Sequence, residues 1–261
     1  MTAVKDTSLP LDDRYLSSGK ESNTRVTAFD NLELLVEQID NASNLDVLKL
    51  WPPLLSMLSS PEAELRRYAA WVIGTAVQNN PKAQGHLLQY KGVKKLVEKL
   101  DDVYSVRTKV LYALGCELNQ FPAGVRQFSE VGGWKKLRTC IDKVDEGTEC
   151  QRRVAFFLSN YLAEEGIQTT GLEENHFLEG FVNILEKETD PDLLEKVHPH
   201  DNDHLTQTIQ AVNLLVSKRI DTTSPDTLSK LTHLLPKLKS QSPEALDNSQ
   251  WTTLENSLSS L

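Results

Sequence analysis

The densest group of side chains able to do chemistry is HPHDNDH, residues 198–204, where His198, His200 and His204 stand beside Asp201 and Asp203. Imidazole and carboxylate together suit zinc or a related ion. The group closes the polar stretch EKETDPDLLEKVHPHDND (186–203), which reads as a long solvated loop with no apolar frame to aim ligands. Neither a metal nor any other cofactor is expected. The chain has no G-x-x-x-x-G-K-[ST] phosphate loop, no G-x-S-x-G elbow and no H-E-x-x-H helix. Its carboxylates show no discernible pairing, so nothing makes a case for an enzyme.

Composition narrows the remaining classes. The 261 residues carry 28 basic and 37 acidic side chains, a net charge of −9, and no basic run. Nucleic-acid binding normally needs a concentrated positive field, so it is not expected. Cys116, Cys140 and Cys150 form no even disulfide framework and no C-x-x-C pair, which reads as reduced thiols. The first 30 residues lack the apolar core of a signal peptide, and no segment approaches the roughly 18 apolar residues of a membrane span. Cytosol or nucleus is the default location, and the cytoplasm is the expectation.

The elements of the chain announce themselves as a repeat. GTAVQNNPKAQGHLLQYKGVKKL (74–96) returns 41 positions later, without a gap, as GCELNQFPAGVRQFSEVGGWKKL. Gly74, Pro81, Gly92, Lys94, Lys95 and Leu96 recur as Gly115, Pro122, Gly133, Lys135, Lys136 and Leu137. A third copy follows at an offset of 44, taking Leu114 to Leu158 and Leu137 to Phe181, and a fainter one precedes at 42, from Leu54 and Leu58 to Leu96 and Leu100. Helical periods of about 40–47 residues mark armadillo or HEAT stacks. Within one unit, Ala69, Ile73, Ala76 and Val77 give a long helix over 64–80 that stops at Gln-Asn-Asn-Pro. A short helix over 82–90 and a second over 93–100 follow, divided by Gly92. Short, medium, long is armadillo ordering.

The predicted fold is therefore all-α, an armadillo-type right-handed superhelical solenoid of about four three-helix repeats with a helical C-terminal cap. Residues 1–24 are expected to be a flexible segment. Residues 25–261 form the repeat domain, with repeats near 25–60, 61–101, 102–145 and 146–190 and C-terminal helices over 204–219, 225–240 and 249–261.

In such a stack the long helices line the concave surface. With Ile73 and Val77 inward, the other edge presents Tyr68, Trp71, Thr75 and Gln78, and the offsets carry the column onward. Tyr68 leads to Lys109 and Arg153, Trp71 to Tyr112 and Phe156, Thr75 to Cys116 and Asn160, Gln78 to Asn119 and Ala163. Large rings flanked by cations make a protein-binding face. A rotation by one position would bury them instead. Arg66 and its counterpart Arg107 fit contact or bracing equally well.

LLVEQIDNASN (34–44), IGTAVQNNP (73–81), VRTKVLYAL (106–114) and RRVAFFLSNYL (152–162) resemble the Fes-type nucleotide exchange factors of heat shock protein 70, over about residues 26–190. The resemblance implies a monomeric clamp whose concave face grips one lobe of the chaperone's ATPase domain and lets ADP leave. It also implies contacts at Asn41, Ala42, Gln78, Asn79, Arg153 and Asn160, which join Tyr68, Trp71, Lys109, Tyr112 and Phe156 as candidate partner-binding residues. Three departures stand out. The family's leading Leu- and Trp-containing module is absent or altered, Trp71 replaces a small or polar residue, and CELNQF (116–121) puts Glu117 and Asn119 in a stretch that is often more basic. The alternative is a peptide-binding armadillo adapter such as a nuclear import receptor. Its Trp-x-x-x-Asn frame is met here only by Phe156 with Asn160, against Trp71 with Thr75 and Tyr112 with Cys116.

Overall fold

Residues 19–143, 148–164, 166–189 and 202–261 are described in a computed structural model, and every regular element among them is helical. The first three-helix set is α1 (Gly19–Val36), α2 (Ile39–Val47) and α3 (Trp51–Ser56). The second is α4 (Ala63–Val77), α5 (Pro81–Gln89) and α6 (Gly92–Glu98). The third is α7 (Tyr104–Leu118), α8 (Pro122–Glu130) and α9 (Gly133–Asp142). The fourth is α10 (Glu149–Ala163), α11 (Thr170–Glu173) and α12 (Phe177–Glu188). The chain ends in α13 (Asn202–Ser217), α14 (Pro225–Gln241) and α15 (Asn248–Ser259).

Each set opens on its long helix, and the third and fourth sets continue short then medium, whereas α3 and α6 are shorter than α2 and α5 and are each continued by a 3-10 turn, Met57–Ser59 and Lys99–Asp101. The helical backbone begins at Gly19 rather than near 25, and α4 ends at Val77 rather than at 80. The described residues divide into two compact units after Gly133. In the first unit α4 lies between α1 and α7; in the second, α13 packs on α10, α12 and α15. The repeated apolar positions are the core of each unit. Ile73, Val77, Leu96, Leu100, Leu114 and Leu118 are buried in the first, and Leu137, Leu158, Leu162, Phe181 and Leu185 in the second.

The repeated punctuation has a steric cause at each corner. After α4, Asn79 takes the left-handed conformation (φ 51°), as does Gln120 (φ 52°) after α7. Asn80 then caps α5 by accepting from the Ala83 N–H at 3.2 Å, and Pro81 fills the first helical position, where a missing N–H costs nothing. Gly92 and Gly133 open α6 and α9 because a Cβ there would overlap the side chains of Leu87 and Phe128. Gly74 is needed for packing between repeats, since a Cβ would lie 2.6 Å from the Tyr112 ring.

Polar braces join one repeat to the next. Arg66 donates Nε and Nη2 to Asp102 at 2.8 and 2.7 Å, and Nη1 reaches the carbonyls of Ser60 and Pro61 at 2.9 Å. Its role is bracing. The buried Gln84 amide lies within 3.0–3.2 Å of the carbonyls of Cys116, Glu117 and Asn119, so α5 caps the C-terminal end of α7. Arg107, which was expected to be either a contact or a brace, is buried and donates to the Asp102 carbonyl at 2.9 Å.

Two outcomes follow at these corners. Burial alone would raise the Asp102 carboxyl, but the Arg66 hydrogen bonds, the Val103 N–H and the charges of Arg66 and Lys99 outweigh it and hold the group below its usual range. The pair therefore stabilises the fold above about pH 4, the unfolded carboxyl value, and that share is lost as pH falls through the lower folded value. Arg66→Ala is expected to cost about 1–3 kcal/mol in urea unfolding at pH 7, with a difference that shrinks in acid. Lys91 is left-handed (φ 56°) at the position where the next repeat has Gly132 (φ 73°). Lys91→Gly should raise stability by about 0.5–1 kcal/mol, read as a higher melting temperature.

Candidate partner-binding face

The long helices of the first unit, with Gln78 just after α4, carry five of the eleven candidate residues in two connected groups. Trp71 is half-buried on α4, and Lys109 on α7 places its ammonium 3.8 Å from the indole centroid. Tyr68 stacks on Trp71 (5.9 Å between centroids) and on Phe29 of α1 (6.1 Å), with the Arg67 guanidinium 4.4 Å from its ring. Such cation–π contacts are worth about 0.5–1 kcal/mol where exposed, and they fix the rings as much as they stabilise them. The Tyr112 hydroxyl donates to Gln78 Oε1 at 3.2 Å and lies 3.5 Å from Thr75 Oγ1. Burial pushes the Tyr112 phenol up to about 12, against the lowering effect of the Thr75 hydroxyl.

Two candidates sit deeper than the sequence implied. Ala42 on α2 is 1% exposed, and Tyr68 is 8% exposed. Ala42 is a core residue of the α1–α2 corner and is not available as a direct contact, whereas Tyr68 is largely covered and stacks on Trp71. Asn41 is half-buried, and its amide donates to the Leu35 carbonyl at 2.9 Å, closing the turn between α1 and α2. Gln78 and Asn79 are exposed in the corner after α4.

The second unit presents Arg153, Phe156 and Asn160 along one edge of α10, at helical spacings of three and four. Phe156 is 56% exposed, an unusual position for a large ring, and Asn160 is exposed beside it. Arg153 is held by Glu149 at 2.7 Å, and the same Glu149 takes two hydrogen bonds from Arg152, which also reaches Asp203 at 2.9 Å. Beneath this edge Trp134, Phe157, Tyr161 and Phe177 form an aromatic cluster that fixes α10 from below.

The histidine-rich stretch divides. His198, His200 and Asp201 lie outside the described residues. His204 is not in a solvated loop: it is 2% exposed on α13, with Nδ1 3.8 Å from Glu188 Oε1 on α12. Among the described residues no group of three or more His, Cys, Asp or Glu side chains is placed to hold a metal ion. Likewise, no helix among them is long and apolar enough to cross a membrane. The three cysteines are free thiols.

Sequence reasoning missed Glu33. It lies on α1, 42 residues before Thr75, so the offset of the faint first copy extends the Thr75–Cys116–Asn160 column by one position. Thr75 Oγ1 donates to its Oε1 at 2.8 Å.

Three-helix sets that repeat at offsets of about 41–44 residues, each opening on a long helix, define an armadillo-type fold. Solved structures agree on the fold. A designed armadillo repeat protein superimposes with a TM-score of 0.68 over 98% of each chain at 17% identity. Another, solved with the peptide (KR)4, gives 0.66 over 94% of this chain and 96% of that one at 16% identity. The family follows from sequence. The SIL1/FES1/HPBP1 C-terminal domain matches residues 41–253, and the nucleotide exchange factor Fes1 family matches residues 2–45. The chain is 34% identical over 261 residues to the Hsp70 nucleotide exchange factor fes1 of Schizosaccharomyces pombe, covering 99% of this chain and 83% of that one. It is 44% identical over 142 residues to the FES1 of Mycosarcoma maydis, covering 54% of this chain and 36% of the relative. The chain belongs to the SIL1/FES1/HPBP1 family of Hsp70 nucleotide exchange factors, which are non-enzymatic co-chaperones. The Fes1 family match begins at residue 2, within the segment expected to be an absent or altered leading module.

Glu117 is also corrected. It is 0% exposed with both carboxylate oxygens enclosed and unpartnered among the described residues, so it cannot set affinity from the surface. Burial pushes its pKa up to about 9. The folded protein then holds a proton that the unfolded chain releases near pH 4.5, so stability falls as pH rises from about 5 to about 9. The expected slope is about 1.4 kcal/mol per pH unit. Glu117→Gln should flatten that decline in urea titrations run at successive pH values, and an unchanged slope would show that Glu117 does not cause it.

Proposed function

We propose that the chain promotes ADP release from heat shock protein 70 by gripping one lobe of its ATPase domain through residues on its long helices. The family match over residues 41–253, together with a relative aligned over 99% of this chain, carries this reading. The contacts would be Trp71, Lys109, Tyr112, Gln78 and Asn79 in the first unit and Arg153, Phe156 and Asn160 in the second. Asn41, Ala42 and Tyr68 would act by holding these in place. A protein that neither binds nucleotide nor breaks a bond can change the release rate only by favouring the open chaperone over the closed one. The working form would be a monomer in the cytoplasm, in keeping with its free thiols.

A peptide-adapter role is less well supported. Thr75 is buried and bonded to Glu33, and Trp71 is covered by Lys109, so neither offers the open Trp–Asn pair that an extended peptide needs.

Stopped-flow release of fluorescent ADP from a heat shock protein 70 ATPase domain tests the proposal. The expected result is a concentration-dependent acceleration of about tenfold or more, equivalent to ~1.4 kcal/mol off the barrier. Phe156→Ala should raise the concentration needed by about tenfold with an unchanged melting temperature, because it truncates an exposed anchor. Ala42→Arg would abolish activity by disrupting the core, so it does not report on contact. A folded wild-type chain without effect would overturn the exchange reading.

A further inference from the structure

We propose that Glu33 is a preformed receptor for a lysine or arginine side chain of the protein that docks on the long-helix face of the first unit. The identity of that protein as the heat shock protein 70 ATPase domain rests on the function proposed above. The receptor itself rests on the geometry around Glu33.

Glu33 is 8% exposed on α1, and its Oε1 accepts from the buried Thr75 hydroxyl at 2.8 Å. No cation pairs with it among the described residues. Its second oxygen has no partner there, yet it is not enclosed as both Glu117 oxygens are. Solvent therefore reaches one lone-pair edge of a carboxylate that is otherwise desolvated. The cations of the face are engaged elsewhere: Arg67 lies over the Tyr68 ring and Lys109 over Trp71. Around Glu33 the stretch DNLELLVEQID (30–40) adds Asp30, Glu37 and Asp40 and contains no base, so the local field favours an incoming cation.

A buried carboxylate held in one orientation suits ion pairing across an interface. Most of its desolvation and ordering has already occurred in the folded free protein, so less is lost on binding than for a mobile surface acid. The Thr75 bond fixes the occupied oxygen and aims the other outward. Tyr112 and Gln78, joined to Thr75 through the same cluster, would form the rim beside the arriving side chain.

Glu33→Gln separates charge from structure, because the amide oxygen still accepts from Thr75 and the volume is kept. Binding to the heat shock protein 70 ATPase domain would be measured by calorimetry at several salt concentrations, with melting temperature and circular dichroism alongside. Affinity should fall by about tenfold or more, with a shallower dependence on salt and an unchanged melting temperature. Equal binding by wild type and variant would overturn the receptor while leaving the exchange function standing. Weaker binding with an unchanged salt slope would also overturn it, because the loss would then come from structure rather than charge. A wild-type chain that does not bind would overturn the exchange reading and this partner with it.

Discussion

The first unit depends on burying α4 between α1 and α7. A single repeat has too little apolar surface to fold alone, so each long helix is stable only because its neighbours cover it. The same stacking sets the surface. Gly74 lets the Tyr112 ring approach α4, which puts the phenol within reach of Thr75 and Gln78, and Thr75 reaches back to Glu33. Residues from three long helices thus form one connected polar and aromatic set, although they are far apart in sequence. In the second unit, the aromatic cluster around Trp134 and Phe157 gives α10 comparable support, leaving Phe156 on its outer edge.

Two acidic side chains of the first unit show how the depth of burial decides chemistry. Glu117 at the end of α7 is enclosed on all sides, and the burial pushes it towards the neutral form. Glu33 lies on the edge of the long-helix face with a hydroxyl bound to one oxygen and the other open. The first tunes stability with pH, while the second offers a charge to a partner. Their immediate neighbours do not reveal their depths, since Glu33 lies between Leu32 and Leu34 and Glu117 between Cys116 and Leu118.

Much of the fold was legible because Pro81, Pro122, Gly92 and Gly133 mark corners that only those residues fit, and because Ile73, Leu114 and Leu158 repeat at fixed offsets. The face was legible less completely. Helical periodicity separates an apolar stripe from its opposite side, but a residue at the seam between them is assigned by a rotation of a few tens of degrees. Tyr68 lies at that seam and proved buried, whereas Trp71, one turn on, remained half-open under Lys109. Ala42 rested on resemblance alone, and no pattern in the chain shows that the α1–α2 corner closes over it. Glu33 escaped notice because its repeat is the faintest copy. Its link to Thr75 appears only when α1 and α4 are packed together.

The account requires that the chain hold the nucleotide-free chaperone more tightly than the ADP-bound one, since a clamp with equal affinity for both would shift nothing. The most direct measurement is therefore the affinity for the heat shock protein 70 ATPase domain, by calorimetry, with and without saturating ADP. By linkage the account predicts weaker binding by about 5- to 150-fold when ADP is present, with ADP affinity reduced by the same factor when the chain is bound. Equal affinities in the two states would contradict it.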